Sequence, residues 1–394
     1  MALPAFMLVG TLAILGIHSA MPILGDAMRQ AAMVSAVMSM PDISVEVFEH
    51  YLEVQVYGGV LRGIDHDSIP FEPAAPALTV PAAPPVDVPP QNLPAAPEPE
   101  SAAPLPPTTP PRDAPRRIPV IPPQYAAPII AENFAGREGR GLLQHGAGFI
   151  RNETRFSYAY IREILEEPFA LEFYADFRPQ VLIMHTHTTE AFERFDADYF
   201  DIRNTWRSTD NNINMAAVGA VMADVLESYG IGVIHDTTQH DFPMYAGSYG
   251  RAAETIRGYL EEYPSIQIVL DLHRDAMPRG NAMIKPVAMI NGNKTAQIMI
   301  IAGSDNGNMN MPYWRENLRF AAAFQDYMEA QGEDLTRPVY LTHRRYNMDL
   351  STGSLLLEIG SNANTLEEAF YAAELAGHAL AALILNNLTE EFVA

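Results

Sequence analysis

The 394-residue chain contains no cysteine. Disulfide frameworks, thiolate zinc sites, iron–sulfur clusters and cysteine nucleophiles are therefore excluded together, and any metal site has to be built from His, Asp and Glu. Positive charge is also scarce: 25 Lys and Arg stand against 48 Asp and Glu, for a net charge of −23, and the only lysines are Lys285 and Lys294. A nucleic-acid binder needs a basic footprint to neutralise phosphates, so that class is excluded. No polybasic membrane-surface patch is present either. The Gly-x-Ser-x-Gly elbow of serine hydrolases is absent, which argues against that chemistry.

What is there divides the chain into segments. Residues 2–25 carry no Asp, Glu, Lys or Arg and include the run LPAFMLVGTLAILGI. About twenty apolar residues suffice to cross a bilayer, so residues 1–25 read as a single transmembrane anchor, with a cleaved signal segment as the alternative. No basic residue precedes the run, which leaves its topology open. Residues 26–68 form a juxtamembrane stretch without recognisable chemistry. Between positions 70 and 128 lie 21 of the chain's 32 prolines, interleaved with Ala and Val. Proline lacks an amide donor and fixes φ, so residues 69–128 read as a disordered, extended linker that could hold a domain more than about 100 Å from a membrane. Residues 129–394 remain for one globular domain.

Within that domain short apolar runs alternate with amphipathic segments. The runs at 181–186, 231–236, 266–272, 287–290, 297–303 and 354–359 predict buried strands, and 213–229, 248–263, 314–331 and 366–388 predict helices. This order implies an α/β fold, a mostly parallel twisted sheet flanked by helices. Functional residues in such sheets gather at the carboxyl ends of strands.

Three places then stand out. They are His185-Thr186-His187-Thr188-Thr189-Glu190, Asp271-Leu272-His273-Arg274-Asp275 and Glu358-Ile359-Gly360. Each presents His or carboxylate where an apolar run stops. Imidazoles and a carboxylate converging from neighbouring strands are the ligand set of a catalytic Zn2+ with an open position for water. His187, Glu190 and His273 are the candidate ligands, and Glu358 fits a general base. Asp271 or Asp275 would receive the second imidazole N–H of a ligand. Alternation along a strand would put His185 on the same face as His187, one pleat deeper. Asp210 reads as an N-terminal cap of the helix near residue 212 and, alternatively, as a rival to Glu190 for the acidic ligand. His235 and His240, beside Asp236 and Asp241, read as loop polars, with a place lining the same cleft as the alternative.

The blocks HTHTTE, STDNNIN, HD, LHRDA and LLEIGSNANT, in that order over 149–388, resemble the stage II sporulation protein P family of cell-wall hydrolases. An anchor, a variable linker and a C-terminal catalytic domain match its layout. The resemblance implies a zinc-dependent N-acetylmuramoyl-L-alanine amidase acting on peptidoglycan, with a second activity as an endopeptidase on crosslinks. It implies work in engulfment with stage II sporulation proteins D and M, from a membrane anchor that places the domain between mother-cell and forespore membranes. Carried over residue by residue, His187, His273 and Glu358 match the first His, second His and catalytic Glu of zinc amidases, while Glu190 and Asp210 compete for the acidic ligand. Arg274 would hold the oxyanion or a stem-peptide carboxylate. Two rivals stay open: a zinc carboxypeptidase or amidohydrolase on soluble peptides, and an inactive wall-binding scaffold.

Overall fold

A computed structural model describes residues 120–139 and 141–389. The expected anchor or signal segment, the juxtamembrane stretch and nearly all of the expected linker lie outside the described residues. In chain order the elements are β1 (Ala126–Glu132), β2 (Leu143–His145), β3 (Gly148–Asn152), α1 (Tyr158–Leu165), β4 (Pro179–Met184), β5 (Tyr199–Asp201), α2 (Met215–Ser228), β6 (Gly232–His235) and α3 (Ser248–Glu262). They continue as β7 (Ile268–Asp275), β8 (Pro278–Arg279), β9 (Ala282–Ile290), β10 (Asn293–Ala296), β11 (Ile298–Gly303), α4 (Trp314–Glu329), β12 (Val339–Thr342), β13 (Ser354–Ser361) and α5 (Leu366–Asn386). The structure is thus a mixed α/β fold.

The main sheet runs β2-β3-β12-β11-β13-β7-β4-β6. From β13 to β6 the neighbours are parallel, as are β3, β12 and β11, but β11 meets β13 antiparallel and β2 meets β3 antiparallel. The sheet is therefore two parallel blocks joined at an antiparallel seam. Strand β4 explains the continuous apolar runs: Val181 and Ile183 enter the large core beneath α2, α4 and α5, whereas Leu182 and Met184 enter a second core beneath α3. A strand covered on both faces has no position that tolerates water.

A smaller sheet, β10-β9-β1-β5 with β8 on β9, was not foreseen from the apolar pattern. Strand β1 begins at Ala126 and pairs Ala126–Pro128 with Asp201–Tyr199, so the last residues assigned to the linker belong to the fold. Both lysines serve this region. Lys285 on β9 donates to Asp196 (2.9 Å) and to Glu368 of α5 (3.0 Å), and Lys294 on β10 donates to the other oxygen of Asp196 (2.6 Å). Glu368 in turn closes a capping box with Thr365 at the start of α5, satisfying helix N–H groups that have no partner within the helix.

Helix α5 is, among the described residues, the one helix long and apolar enough to cross a membrane, but two thirds of its apolar window is buried inside the fold. It packs on α2 and α4, which makes it a core helix.

Candidate active site

The site forms where β4, β7 and β13 end side by side. The parallel register pairs Glu358 directly with His273 and Met184 with Asp271. Alternation places Asp271 and His273 on the α3 face of β7, opposite Leu270 and Leu272 in the large core. After Met184 the chain leaves the sheet, and the turn closed by Glu190 N–H to His187 C=O (3.0 Å) brings both side chains back over the end of β7.

Five of the expected residues gather there: His187, Glu190, Asp271, His273 and Glu358. His273 Nδ1 lies 3.6 Å from Glu190 Oε2, and the rings of His187 and His273 stand perpendicular with centroids 5.2 Å apart. On its far side His273 Nε2 contacts Asp271 Oδ1 at 2.9 Å. Asp271 is itself fixed by the Thr186 backbone N–H (2.7 Å) and hydroxyl (2.6 Å). His187 stacks on Tyr245 at 4.5 Å, and its Nδ1 faces Ser248 Oγ at 3.5 Å and Asp241 Oδ2 at 4.0 Å. Glu358, also at this point, has an enclosed Oε2 with no hydrogen-bond partner.

Electrostatics divide these groups. Burial and the positive charges of His273, Arg207 and Arg274 keep His187 well below the usual imidazole range, so it is neutral. Burial pushes His273 the same way, but the carboxylates of Asp271, Glu190 and Glu358 outweigh it and lift His273 to about 9. Burial, reinforced by the Asp275 carboxylate, raises Glu358 to about 8. Asp275 accepts from Arg337 Nη1 at 2.8 Å and stands opposite Ser361 in the β7–β13 pairing, past the register shift that follows Glu358.

The other sequence candidates are placed differently. His185 is completely buried but does not share the face of His187, because β4 ends at Met184 and the intervening turn reverses the alternation. His185 faces α2 instead, with Nε2 3.0 Å from His235 Nε2 and Nδ1 3.2 Å from Leu272 C=O. Asp210 is exposed, and its carboxylate accepts from the backbone and side-chain N–H groups of Asn212 (3.0 and 2.8 Å). It caps no helix, since α2 is capped by Asn214, whose side chain accepts from Ala216 N–H. Glu190, not Asp210, is the acid beside His273. Arg274 is 3% exposed and engaged with the loop around Glu190: its Nε donates to Ala191 C=O (3.3 Å), its Nη2 to Trp206 C=O (3.1 Å), and its backbone N–H to Glu190 Oε2 (3.2 Å). These bonds fit a support for Glu190 rather than a group turned to substrate.

Two residues of the site carried no sequence signal. Asp241 drew notice only as a neighbour of His240, yet its side chain is wholly buried and accepts from Thr189 N–H (3.2 Å), Thr189 Oγ1 (2.6 Å) and Arg207 Nη1 (2.8 Å). Arg207 was passed over. Each lies in an irregular segment, where periodicity gives no information.

Whether a metal fits can be judged from the donors. Among the described residues no group of three or more His or acidic side chains is placed to hold a metal ion. The donor types present are ones a divalent metal accepts: a neutral imidazole, a second imidazole backed by a carboxylate, and the Glu190 carboxylate, which lies between two arginines.

Comparison with known proteins agrees with the residue pattern. The family description Stage II sporulation protein P (SpoIIP) matches residues 161–381. The chain is similar to Stage II sporulation protein P of Bacillus subtilis (strain 168), 28% identical over 207 residues, which span 50% of this chain and 49% of that protein. Among solved structures it is similar to the N-acetylmuramyl-L-alanine amidase Ami1 of Mycobacterium smegmatis (11% identity, 54% of this chain and 99% of that one, TM-score 0.32). It is similar likewise to the CwlD amidase of Clostridioides difficile in complex with the GerS lipoprotein (11%, 52% and 98%, TM-score 0.33). Those two likenesses are too low to speak to residues or substrate. The family match covers more than half of the chain, and the chain therefore belongs to the stage II sporulation protein P family.

Proposed function

We propose that this protein is a zinc-dependent peptidoglycan hydrolase that cleaves the amide between N-acetylmuramic acid and the L-alanine of stem peptides. The observation that carries the reading is the meeting of Glu358 and His273 on adjacent strands with Glu190 3.6 Å from His273 and His187 packed against it. Membership of the stage II sporulation protein P family supports the substrate class.

His187, Glu190 and His273 would hold the ion. When bound there, Zn2+ supplies Lewis-acid polarisation of the amide carbonyl and acidification of the attacking water. Glu358 takes the proton as water adds to the carbonyl carbon, then delivers it to the nitrogen as the C–N bond breaks. The products are a lactyl carboxylate and a free L-alanine amine. A raised proton affinity suits Glu358 to both transfers, because a base that titrates near the working pH both accepts and releases readily. Asp271 fixes the orientation of His273, and the Tyr245 ring fixes that of His187.

In the same reading the chain also cuts crosslinks as an endopeptidase. It acts in engulfment with stage II sporulation proteins D and M, and is held at a membrane by its N-terminal segment with the catalytic domain outside the cytoplasm. Digestion of purified sacculi by the full-length protein, followed by mass spectrometry, tests the bond assignment. Released peptides beginning at a free L-alanine amine are expected. Cut crosslinks with every L-alanine still attached would replace the amidase by an endopeptidase, and an unchanged sacculus would leave a wall-binding scaffold.

A further inference from the structure

Segment 189–191 runs antiparallel to 206–208. Ser208 N–H donates to Thr189 C=O (2.7 Å) and Ala191 N–H to Trp206 C=O (2.8 Å), which sets Arg207 directly across from Glu190. Residues opposite each other on such a ladder have Cβ atoms about 5 Å apart, so their charges interact whatever else surrounds them. Arg207 uses this place to reach two acids. Its Nη1 donates to Asp241 Oδ2 at 2.8 Å and to Thr189 Oγ1 at 3.3 Å, and its Nη2 is 3.8 Å from Glu190 Oε1. The guanidinium also lies 5.0 Å from the centroid of Tyr245, the ring on which His187 stacks.

The backbone is bent to achieve this. Trp206 has φ +49°, a left-handed conformation that costs a bulky residue on the order of 1 kcal/mol or more. It is held there by Nε1–H to Glu193 Oε1 (2.6 Å), by its own N–H to Asn204 Oδ1 (3.0 Å) and by packing on Phe200. The Trp206 C=O in turn accepts from Ala191 N–H (2.8 Å) and Arg274 Nη2 (3.1 Å), so the bent segment that carries Arg207 is tied to the strand that carries Glu190.

We propose that Arg207 is a positioning residue for the metal site, bridging Asp241 and Glu190 so that Glu190 presents its carboxylate beside His273 and Asp241 stays behind His187. This deepens the functional reading above and rests on it. A lysine carries the charge but has no planar fork to span two carboxylates.

The experiment measures zinc affinity by chelator competition for the full-length wild type, Arg207→Lys and Arg207→Ala, together with thermal unfolding of the metal-free proteins and kcat and KM on muropeptides. Affinity is expected to fall about 10- to 100-fold in both variants, the usual range for losing a group that orients a ligand, with KM little changed. Should neither variant fold, Asp241→Asn removes the anchor of the guanidinium and is expected to weaken zinc in the same direction. Unchanged zinc affinity with a lowered unfolding temperature would reduce Arg207 to a loop support and overturn the proposal. So would unchanged affinity with a raised KM, which would make Arg207 a contact for a substrate carboxylate. A wild type that holds no zinc would instead remove the functional reading, and the positioning role with it.

Discussion

Two histidines separated by a single residue enter opposite worlds. His187 joins His273, Glu190 and Glu358 at the end of the sheet, while His185 lies on the α2 side against His235. Burial is complete or nearly so for His185, His187 and His273 alike, so it cannot be what separates them. Carboxylates do. Without one in contact, and with the His235 ring opposing it, buried His185 falls to about 3, whereas Asp271, Glu190 and Glu358 carry equally buried His273 up to about 9. Burial makes an imidazole neutral, and only a local surplus of negative charge makes the same burial a place for a cation.

The largest effect expected from this comparison is on the chemistry. Glu358→Gln keeps the side-chain volume but abolishes proton transfer, and turnover on sacculi should fall by roughly 10²- to 10⁴-fold with zinc retained. Stopped digestion assays with parallel elemental analysis check it, and full activity in the variant would remove Glu358 from its role.

A smaller effect is expected on the other face, in stability alone. Gly219 of α2 sits against the His185–His235 pair, and a Cβ there would fall 2.6 Å from His235 Nε2 and 2.7 Å from His185 Nε2. Gly219→Ala should gain about 1 kcal/mol of helix propensity and lose about 1–3 kcal/mol to overpacking. A net loss of up to about 2 kcal/mol in chemical unfolding, with zinc content unchanged, is the outcome expected. Loss of zinc would mean that the two faces are coupled and the comparison fails.

How much of this was legible beforehand depended on pattern. Helices α2 to α5 were found to within a few residues at either end because their apolar spacing is regular. His273 and Glu358 followed from the rule that chemistry sits at strand ends, and the register then set them side by side. The small sheet stayed hidden because β1 contains Pro128, follows a proline-rich run, and pairs with only three residues of β5. The face of His185 was misjudged because alternation holds only while the strand lasts, and β4 stops at Met184. Arg207 and Asp241 were out of reach for a different reason: they meet through a left-handed Trp206 and a ladder closed by residues 18 and 52 positions from Thr189. No local pattern encodes such contacts.

The measurement that tests the central claim most directly is zinc stoichiometry, by elemental mass spectrometry, in the full-length wild type, His187→Ala, His273→Ala and His185→Ala. The account predicts about one zinc per chain in the wild type and in His185→Ala, and none in the other two. Zinc retained by His187→Ala and His273→Ala, or lost only with His185, would contradict it.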